Sequence, residues 1–158
     1  MTPRIENILR RLRRRNGNVM IEFAIGSGLL LAAFTGTFRF GYTFLQYNNL
    51  QNAVARGARF ASLAPYDSLT STASTAFTTK VKNMVLYGST TAGTTPVLPG
   101  LTAANINLVP YFDPTLKIPT RMTVSITGYT INSIFASNTL TNKPQVMYAY
   151  QGVWSPLP

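Results

Sequence analysis

The chain has no cysteine and no histidine, and only four of its 158 residues are acidic. These absences exclude disulfides, thiol nucleophiles, zinc–thiolate sites and histidine-based catalytic triads. Beyond the first 22 residues the carboxylates are Asp67 and Asp113, each beside a serine or a proline, where aspartate typically makes local hydrogen bonds in turns. No glycine-rich phosphate loop is present. We therefore expect no enzymatic activity, no bound metal and no cofactor.

The most distinctive feature that is present is an apolar run. Residues 19–38 carry a single charge, that of Glu22. In a helix this run would span roughly 30 Å, the hydrocarbon thickness of a bilayer. A removable signal peptide has a shorter apolar region that ends at a small-x-small cleavage site, and no convincing Ala-x-Ala site follows the run here. The run therefore favours a retained transmembrane helix.

A basic leader precedes the run. Residues 1–17 hold six arginines and Glu6, whereas the flank after the run, residues 40–63, holds only Arg56 and Arg59. By the positive-inside rule the N-terminus lies in the cytoplasm and the C-terminal part lies outside. A basic cluster can also bind nucleic acid. Because this basic cluster adjoins an apolar run, we interpret it as the signal that sets the orientation of the helix in the membrane. We expect no nucleic-acid partner.

Glu22 needs an explanation, because a carboxylate in the bilayer costs on the order of 2.5–3.5 kcal/mol at the centre and less near an end. It either reaches the headgroups or faces a protein partner. The arginine run, Gly17 and the pair Glu22-Phe23 together resemble the type IV prepilin processing motif. The resemblance implies that a membrane prepilin peptidase cuts between Gly17 and Asn18. It also implies that Glu22 pairs with the free amine of a neighbouring subunit.

A second stretch narrows the resemblance. Phe40-Gly41 and the sequence Leu-Gln-Asn-Ala-Val-Ala-Arg-Gly-Ala-Arg-Phe-Ala at residues 50–61 resemble the TadE/TadG pseudopilins of the tight-adherence (Tad, or Flp) pilus. The motif positions on this stalk are Asn52, Arg56 and Arg59. The resemblance implies a structural minor pilin in the bacterial inner membrane or in the extracellular pilus. Its partners would be the prepilin peptidase and other pilin subunits.

Small residues recur at every fourth position within the apolar run, at Ala24, Gly28, Ala32 and Gly36. At this spacing they line one helical face and allow another helix to approach closely, which would make them subunit contacts together with Glu22 and Phe23. Glycine and alanine are also common in membrane helices without such a role. Both interpretations stay open.

The apolar pattern continues beyond the run with spacings of three and four, which predicts an amphipathic stalk helix that ends before Pro65. Its apolar positions are Tyr47, Leu50, Val54, Gly57/Ala58 and Ala61. We therefore predict three parts. They are a leader at residues 1–17, a transmembrane and stalk helix at residues 18–63, and an extracytoplasmic domain at residues 65–158.

The predicted outer domain is α+β and type IV pilin-like, with the long N-terminal helix packed on a small antiparallel sheet. Helical spacing predicts one further helix at residues 70–87, stopped by Gly88. Runs of β-forming residues and turn signals predict three strands, at residues 105–111, 121–131 and 145–154.

Three aromatic residues, Tyr148, Tyr150 and Trp154, would share one face of the last strand. Such a row either packs on a helix or forms a binding surface. Under the second reading the chain is an uncleaved, membrane-anchored envelope protein whose outer domain binds a ligand or the cell wall. Retention or loss of the leader arginines in the mature protein distinguishes the two hypotheses.

Overall fold

The computed structural model describes residues 3–113, 115–116, 118–132 and 137–154, with side chains from residue 18 onward. The chain divides into two compact units, Met1–Gly41 and Tyr42–Pro158. Its elements are α1 (Pro3–Leu63), α2 (Thr75–Tyr87), a 3-10 turn (Ala103–Asn105), β1 (Ile106–Phe112), β2 (Pro119–Ile126), β3 (Thr130–Asn132), β4 (Ser137–Thr139) and β5 (Gln145–Ala149). The predicted α+β class is confirmed.

Helix α1 ends where the sequence predicts but begins earlier. The Ala64 N–H donates to the Phe60 carbonyl at 2.9 Å, which closes the last turn, and Pro65 follows. The helix begins at Pro3 rather than near residue 18. The leader between residues 4 and 16 contains no glycine or proline and is rich in arginine and leucine, which are good helix formers. A change from charged to apolar composition does not stop a helix.

In the first unit the apolar side chains of α1 are exposed. The large ones between Val19 and Phe40 have exposed fractions of 61–76%. A continuous apolar surface of this kind requires lipid or another apolar surface around it. Among the described residues one helical stretch, Asn18–Leu63, is long and apolar enough to cross a membrane, with a mean hydropathy of 1.7 in its most apolar window.

In the second unit α1 turns a buried face to α2. Five α1 side chains in this unit are fully buried: Leu50, Ala53, Val54, Ala58 and Ala61. The stalk pattern predicts all of them except Ala53, whereas Tyr47, which it also includes, is half-buried. The two helices come close at Gly57. A Cβ there would overlap the Val85 side chain and lie 3.5 Å from the Val81 carbonyl oxygen.

Helix α2 starts later than predicted. The Ser74 Oγ accepts the Phe77 N–H at 3.0 Å, so Ser74 is the N-cap and the predicted start at residue 70 is wrong. Before it, the Ser68 hydroxyl accepts the Thr70 N–H at 3.2 Å. Short hydroxyl side chains of this kind compete with helix formation by bonding nearby backbone groups. The predicted stop is confirmed, because Gly88 takes the left-handed conformation with φ 71°.

Strands β1, β2 and β5 form an antiparallel sheet in the order β1-β2-β5, and β3 pairs with β4 in a separate hairpin. Met122, Val124 and Ile126 of β2 face the core, and Leu108 of β1 is opposite Val124. Thr123 and Ser125 on the other face of β2 are also buried, at 3% and 5% exposure. As the central strand, β2 is covered by neighbouring side chains on both faces.

Two predicted strands are too long. The single strand predicted at residues 121–131 is interrupted at Gly128, whose φ is 75°, and resumes as β3. An extended strand cannot accommodate this left-handed residue, which only glycine adopts without strain. The strand predicted at residues 145–154 ends at Ala149. Tyr150 still donates its N–H to the Thr120 carbonyl of β2, but Gln151 donates to the Ser62 carbonyl at the end of α1, so the pairing with β2 goes no further. The short strand β4 carried no sequence signal.

Candidate functional site on the N-terminal helix

The predicted cleavage bond and the predicted pairing carboxylate both lie on α1. The Gly17–Asn18 bond is within the helix, and Glu22 and Phe23 follow about one turn later. Glu22 is exposed, and Phe23 is 76% exposed. In the described part of the chain no hydrogen bond or ion pair engages the Glu22 carboxylate. Both side chains are thus available to a second chain.

Two other polar side chains in the apolar segment make hydrogen bonds within the helix. The Ser27 hydroxyl donates to the Ala24 carbonyl at 3.1 Å, and the Thr37 hydroxyl donates to the Ala33 carbonyl at 3.0 Å. These bonds lower the cost of placing a hydroxyl in hydrocarbon. Glu22 cannot be satisfied in this way. An ionised carboxylate only accepts hydrogen bonds, and the N–H groups of its helix already donate to helix carbonyls.

The stripe of small residues is uncovered in the single chain. Ala24, Gly28 and Ala32 are exposed, Gly36 is half-buried, and no atom lies within 4 Å of a Cβ built at Gly28 or Gly36. Successive helical residues are about 100° apart, so Ala24 lies about 160° around the helix from Glu22. At the same spacing Gly28 and Ala32 lie about 120° and 80° from Glu22, and Gly36 lies about 40° from it, so the first half of the stripe is on a different face from Glu22.

The stalk motif positions and the small residues between them lie on different sides of the helix. Asn52, Arg56 and Arg59 are exposed. The small residues between them, among them Ala53 and Gly57, face α2 or the core. The motif thus combines a tight packing face with a cationic outer face on the same three turns.

The C-terminal segment completes the end of α1, which the sequence did not indicate. The Gln151 N–H donates to the Ser62 carbonyl at 2.8 Å. A Cβ at Gly152 would lie 2.6 Å from the Ala64 carbonyl oxygen, so the backbone at residue 152 approaches as only glycine can. Helix-end carbonyls lack partners within the helix, and here residues far along the chain cover them.

Tyr150 is the centre of this junction. Its hydroxyl accepts the Tyr66 N–H at 2.9 Å and lies 3.0 Å from the Ala64 carbonyl oxygen and 2.8 Å from that of Val153. Burial raises the pKa of Tyr150, since the anion would be poorly solvated. The Trp154 indole N–H donates to the Ser68 carbonyl at 3.1 Å.

The aromatic row therefore does not occupy one strand face, and that expectation is wrong. Tyr148, 40% exposed, lies on β5, whereas Tyr150 turns inward to α1 and Trp154 bonds outside the sheet. The prediction failed at Trp154 because Gln151 bonds to Ser62 of α1, so the strand alternation does not extend to residue 154.

Tyr66 is fully buried among aromatic rings. Its ring contacts those of Phe77, Phe112 and Tyr150 edge to face, with centroids 5.3, 5.5 and 6.4 Å away. Its hydroxyl donates to the Thr70 carbonyl at 2.8 Å. Burial raises the pKa of Tyr66 to about 12. No sequence pattern marked this residue, because its neighbours come from four separate segments.

Both outer carboxylates serve local structure, as their turn positions predict. The Asp113 Oδ1 accepts the N–H groups of Thr115 and Leu116, each at 2.8 Å, and these bonds lower the pKa of Asp113. The Asp67 Oδ2 accepts the Ser74 hydroxyl at 2.6 Å, and its Oδ1 is buried without a partner among the described residues.

Comparison with known proteins identifies the same segment. Residues 17–59 match the family model described as TadE-like protein. No curated protein and no solved structure matches the chain. The matched residues begin at Gly17 and include Glu22, the small-residue stripe and the stalk motif as far as Arg59. This segment is about a quarter of the chain, and its similarity to TadE-like proteins is consistent with a component of the Tad pilus system.

Proposed function

We propose that the chain is a minor pilin or pseudopilin that takes part in assembly of a Tad-type, type IV-like adhesive pilus. Residues 19–38 anchor it in the inner membrane, with the leader in the cytoplasm and the domain from residue 65 outside. The prepilin peptidase cuts between Gly17 and Asn18, and the mature helix then joins other pilin subunits. The observation that carries the proposal is an exposed carboxylate, Glu22, in the otherwise apolar segment 19–38, all of which the TadE-like match covers.

The role of Glu22 follows from the energetics of charge in lipid. An unpaired carboxylate is costly there, and so is the ammonium group that cleavage would create at Asn18. Each charge lowers the cost of the other when they meet, and a neighbouring subunit displaced along the fibre axis can bring them together. Cleavage supplies the ammonium at the depth of Glu22, which would make assembly depend on processing.

The faces of the helix support a subunit with several neighbours. Glu22 lies about 160° around α1 from Ala24 and about 120° from Gly28, so a helix packed against these two residues would not be the helix that pairs with Glu22. Close packing on the small-residue face supplies van der Waals contact, which drives helix association in lipid where the hydrophobic effect does not.

Exchange of the Glu22 carboxylate tests the pairing. We expect Glu22→Gln and Glu22→Ala chains to reach the membrane and to be processed, but to be lost from pili sheared off the cells. Glu22→Asp keeps the charge and should retain part of the incorporation. Immunoblots of membrane and sheared fractions, with electron microscopy of the cells, provide the readout. Normal piliation with Glu22→Ala would exclude the pairing role.

A matched pair of substitutions tests the face formed by the small residues. Gly28→Leu fills that face, whereas Ser27→Leu places the same side chain about 100° away. Both changes keep the run apolar, so membrane insertion should be equal. Incorporation into pili should fall with Gly28→Leu only. Equal incorporation of the two variants would mean that the stripe is ordinary membrane-helix composition.

A further inference from the structure

The two edges of the three-stranded sheet differ. Strand β1, at one edge, contains Pro110 and a register shift between Tyr111 and Phe112, both of which hinder the addition of a strand. Strand β5, at the other edge, reads Gln-Val-Met-Tyr-Ala, without proline or charge, and its register with β2 is regular. Natural sheets usually protect an edge of this kind. The β5 edge therefore has the features of a strand that accepts a partner.

The backbone of β5 leaves three residues with unpaired polar groups. The Tyr150 N–H donates to the Thr120 carbonyl, so even-numbered residues direct their backbone groups to β2. The backbone groups of Gln145, Met147 and Ala149 then face away from β2. Among the described residues nothing is bonded to them on that side. Together these backbone groups form a row of unpaired donors and acceptors along the strand, which is about 17 Å long over its five residues.

A groove lies at the C-terminal end of this open edge. Gln151 continues the outward-facing row and donates its N–H to the Ser62 carbonyl, so the last turn of α1 stands on the open side of the strand. The groove between them has a volume of about 440 Å³. Its lining residues are Arg59, Ser62, Leu63, Tyr148, Ala149 and Gln151. An added strand would thus have β5 backbone on one side and the α1 side chains beside it.

The positive charge around the groove favours an acidic binding partner. Arg59 is exposed in the groove, and Arg56 lies one turn away. The unit Tyr42–Pro158 holds seven basic and two acidic residues, and both carboxylates already accept local hydrogen bonds. A second copy of this unit would bring a like charge, whereas an acidic segment would complement it. An extended segment can also use the backbone edge, which a glycan cannot.

We propose that the open edge of β5 is a docking site for an extended, acidic segment of a partner protein. The segment adds to the sheet as a further strand, bonds the backbone of Gln145, Met147 and Ala149, and places a carboxylate against Arg59. The proposal goes beyond the assembly role, since it concerns a different surface. It does not require that the chain be cleaved or enter a fibre.

The test uses the full chain in dodecylmaltoside micelles and a display library of randomised ten-residue peptides. Met147→Pro removes an N–H that faces away from β2 and leaves the ladder to β2 intact, and Met147→Val is the matched control that keeps the N–H. We expect enriched peptides with alternating β-forming residues and at least one acidic residue. Their binding should weaken tenfold or more with Met147→Pro and less than threefold with Met147→Val. No enrichment, or equal binding to both variants, would overturn strand addition.

Arg59 tests the charge without any change to the sheet. Arg59→Gln should weaken the binding of the enriched peptides about five- to tenfold. Arg56→Gln, at a residue outside the groove lining, should weaken their binding less than twofold. Raising the salt concentration should reduce the difference. Enriched peptides that are basic, or that ignore Arg59→Gln, would overturn the acidic partner.

The same samples separate the other occupants. If the full chain self-associates in sedimentation without peptide and Met147→Pro abolishes this, the occupant is a second copy and the proposal is wrong. If polygalacturonate displaces the peptides and binds Met147→Pro as well as the unaltered chain, the groove binds a polyanionic glycan and the proposal is also wrong.

Discussion

The close approach of α1 and α2 at Gly57 gives a quantitative prediction. A methyl group on residue 57 would overlap the Val85 side chain, so Gly57→Ala forces the helices or the valine to move. Overpacking of this kind costs about 1–3 kcal/mol. Alanine also favours a helix over glycine by about 0.8–1 kcal/mol, which offsets part of the loss. We expect a net loss of about 1 kcal/mol in the free energy of unfolding.

Gly41→Ala is the matched control in the same helix. No atom lies within 4 Å of a Cβ at Gly41, so the substitution meets no obstacle and the helix gains up to about 1 kcal/mol from propensity. The difference between the two substitutions isolates the steric cost at Gly57. Guanidinium unfolding of the full chain in dodecylmaltoside, followed by near-ultraviolet circular dichroism, measures both.

Val85→Ala identifies the cause of the loss. Alone it removes two buried methyl groups and should cost about 1.5–3 kcal/mol. In that background the methyl at residue 57 has room, so Gly57→Ala should no longer destabilise, and the coupling between the two changes should be at least about 1 kcal/mol. Effects that add to within about 0.5 kcal/mol would refute the contact as the reason for glycine at residue 57.

Three further predictions concern the unit that contains β5. The pKa of Tyr66 is raised to about 12, against 10.0 for the free side chain. The stability that the neutral Tyr66 hydroxyl gives the folded chain is therefore complete below pH 10 and is lost as the pH rises to 12. The loss should reach about 2–3 kcal/mol, and Tyr66→Phe should flatten the pH profile of urea unfolding between these values. Tyr150→Phe removes the hydroxyl that bonds the Ala64 carbonyl and the bonded pair of Tyr66 N–H and Val153 carbonyl, and it should cost about 1–3 kcal/mol in urea unfolding, whereas Tyr148→Phe should change stability by less than about 0.5 kcal/mol. Ser74→Ala removes the cap of α2 and should cost about 1 kcal/mol in thermal unfolding, and Ser74→Thr should recover most of it; an equal loss with threonine would contradict the capping role.

Features that depend on neighbouring residues were predictable from the sequence. The apolar stripe from Leu50 to Ala61, the end of α1 before Pro65 and the stop of α2 at Gly88 each follow from local rules of spacing and backbone conformation. The start of α2 was missed because helical spacing extends back to Ala73, and only the bond of the Ser74 hydroxyl decides where the helix begins.

Features that depend on distant contacts were not predictable. Gly128 could sit within a strand or end one, and the separate pairing of β3 with β4 decides the matter. The end of β5 depends on the bond between Gln151 and Ser62, which are far apart in the sequence. The burial of Tyr66 has the same origin. Local periodicity carries no information about such contacts.

The candidate site shows the same division. The segment with Gly17, Glu22 and the stalk motif was recognisable because its residues are consecutive, and the family match covers the same stretch. The groove beside β5 was not recognisable, since it combines the last turn of α1 with residues about ninety positions later. The cleavage bond and the pairing of Glu22 stay predictions.

The most direct test of the assembly role is the intact mass of the membrane-extracted protein, from cells with and without the prepilin peptidase. The account predicts a chain that begins at Asn18, with or without N-methylation, when the peptidase is present, and the uncut chain when it is absent. A chain that keeps residues 10–15 in both cells would contradict processing. It would favour a permanently anchored envelope protein, whose function would then lie in the outer domain.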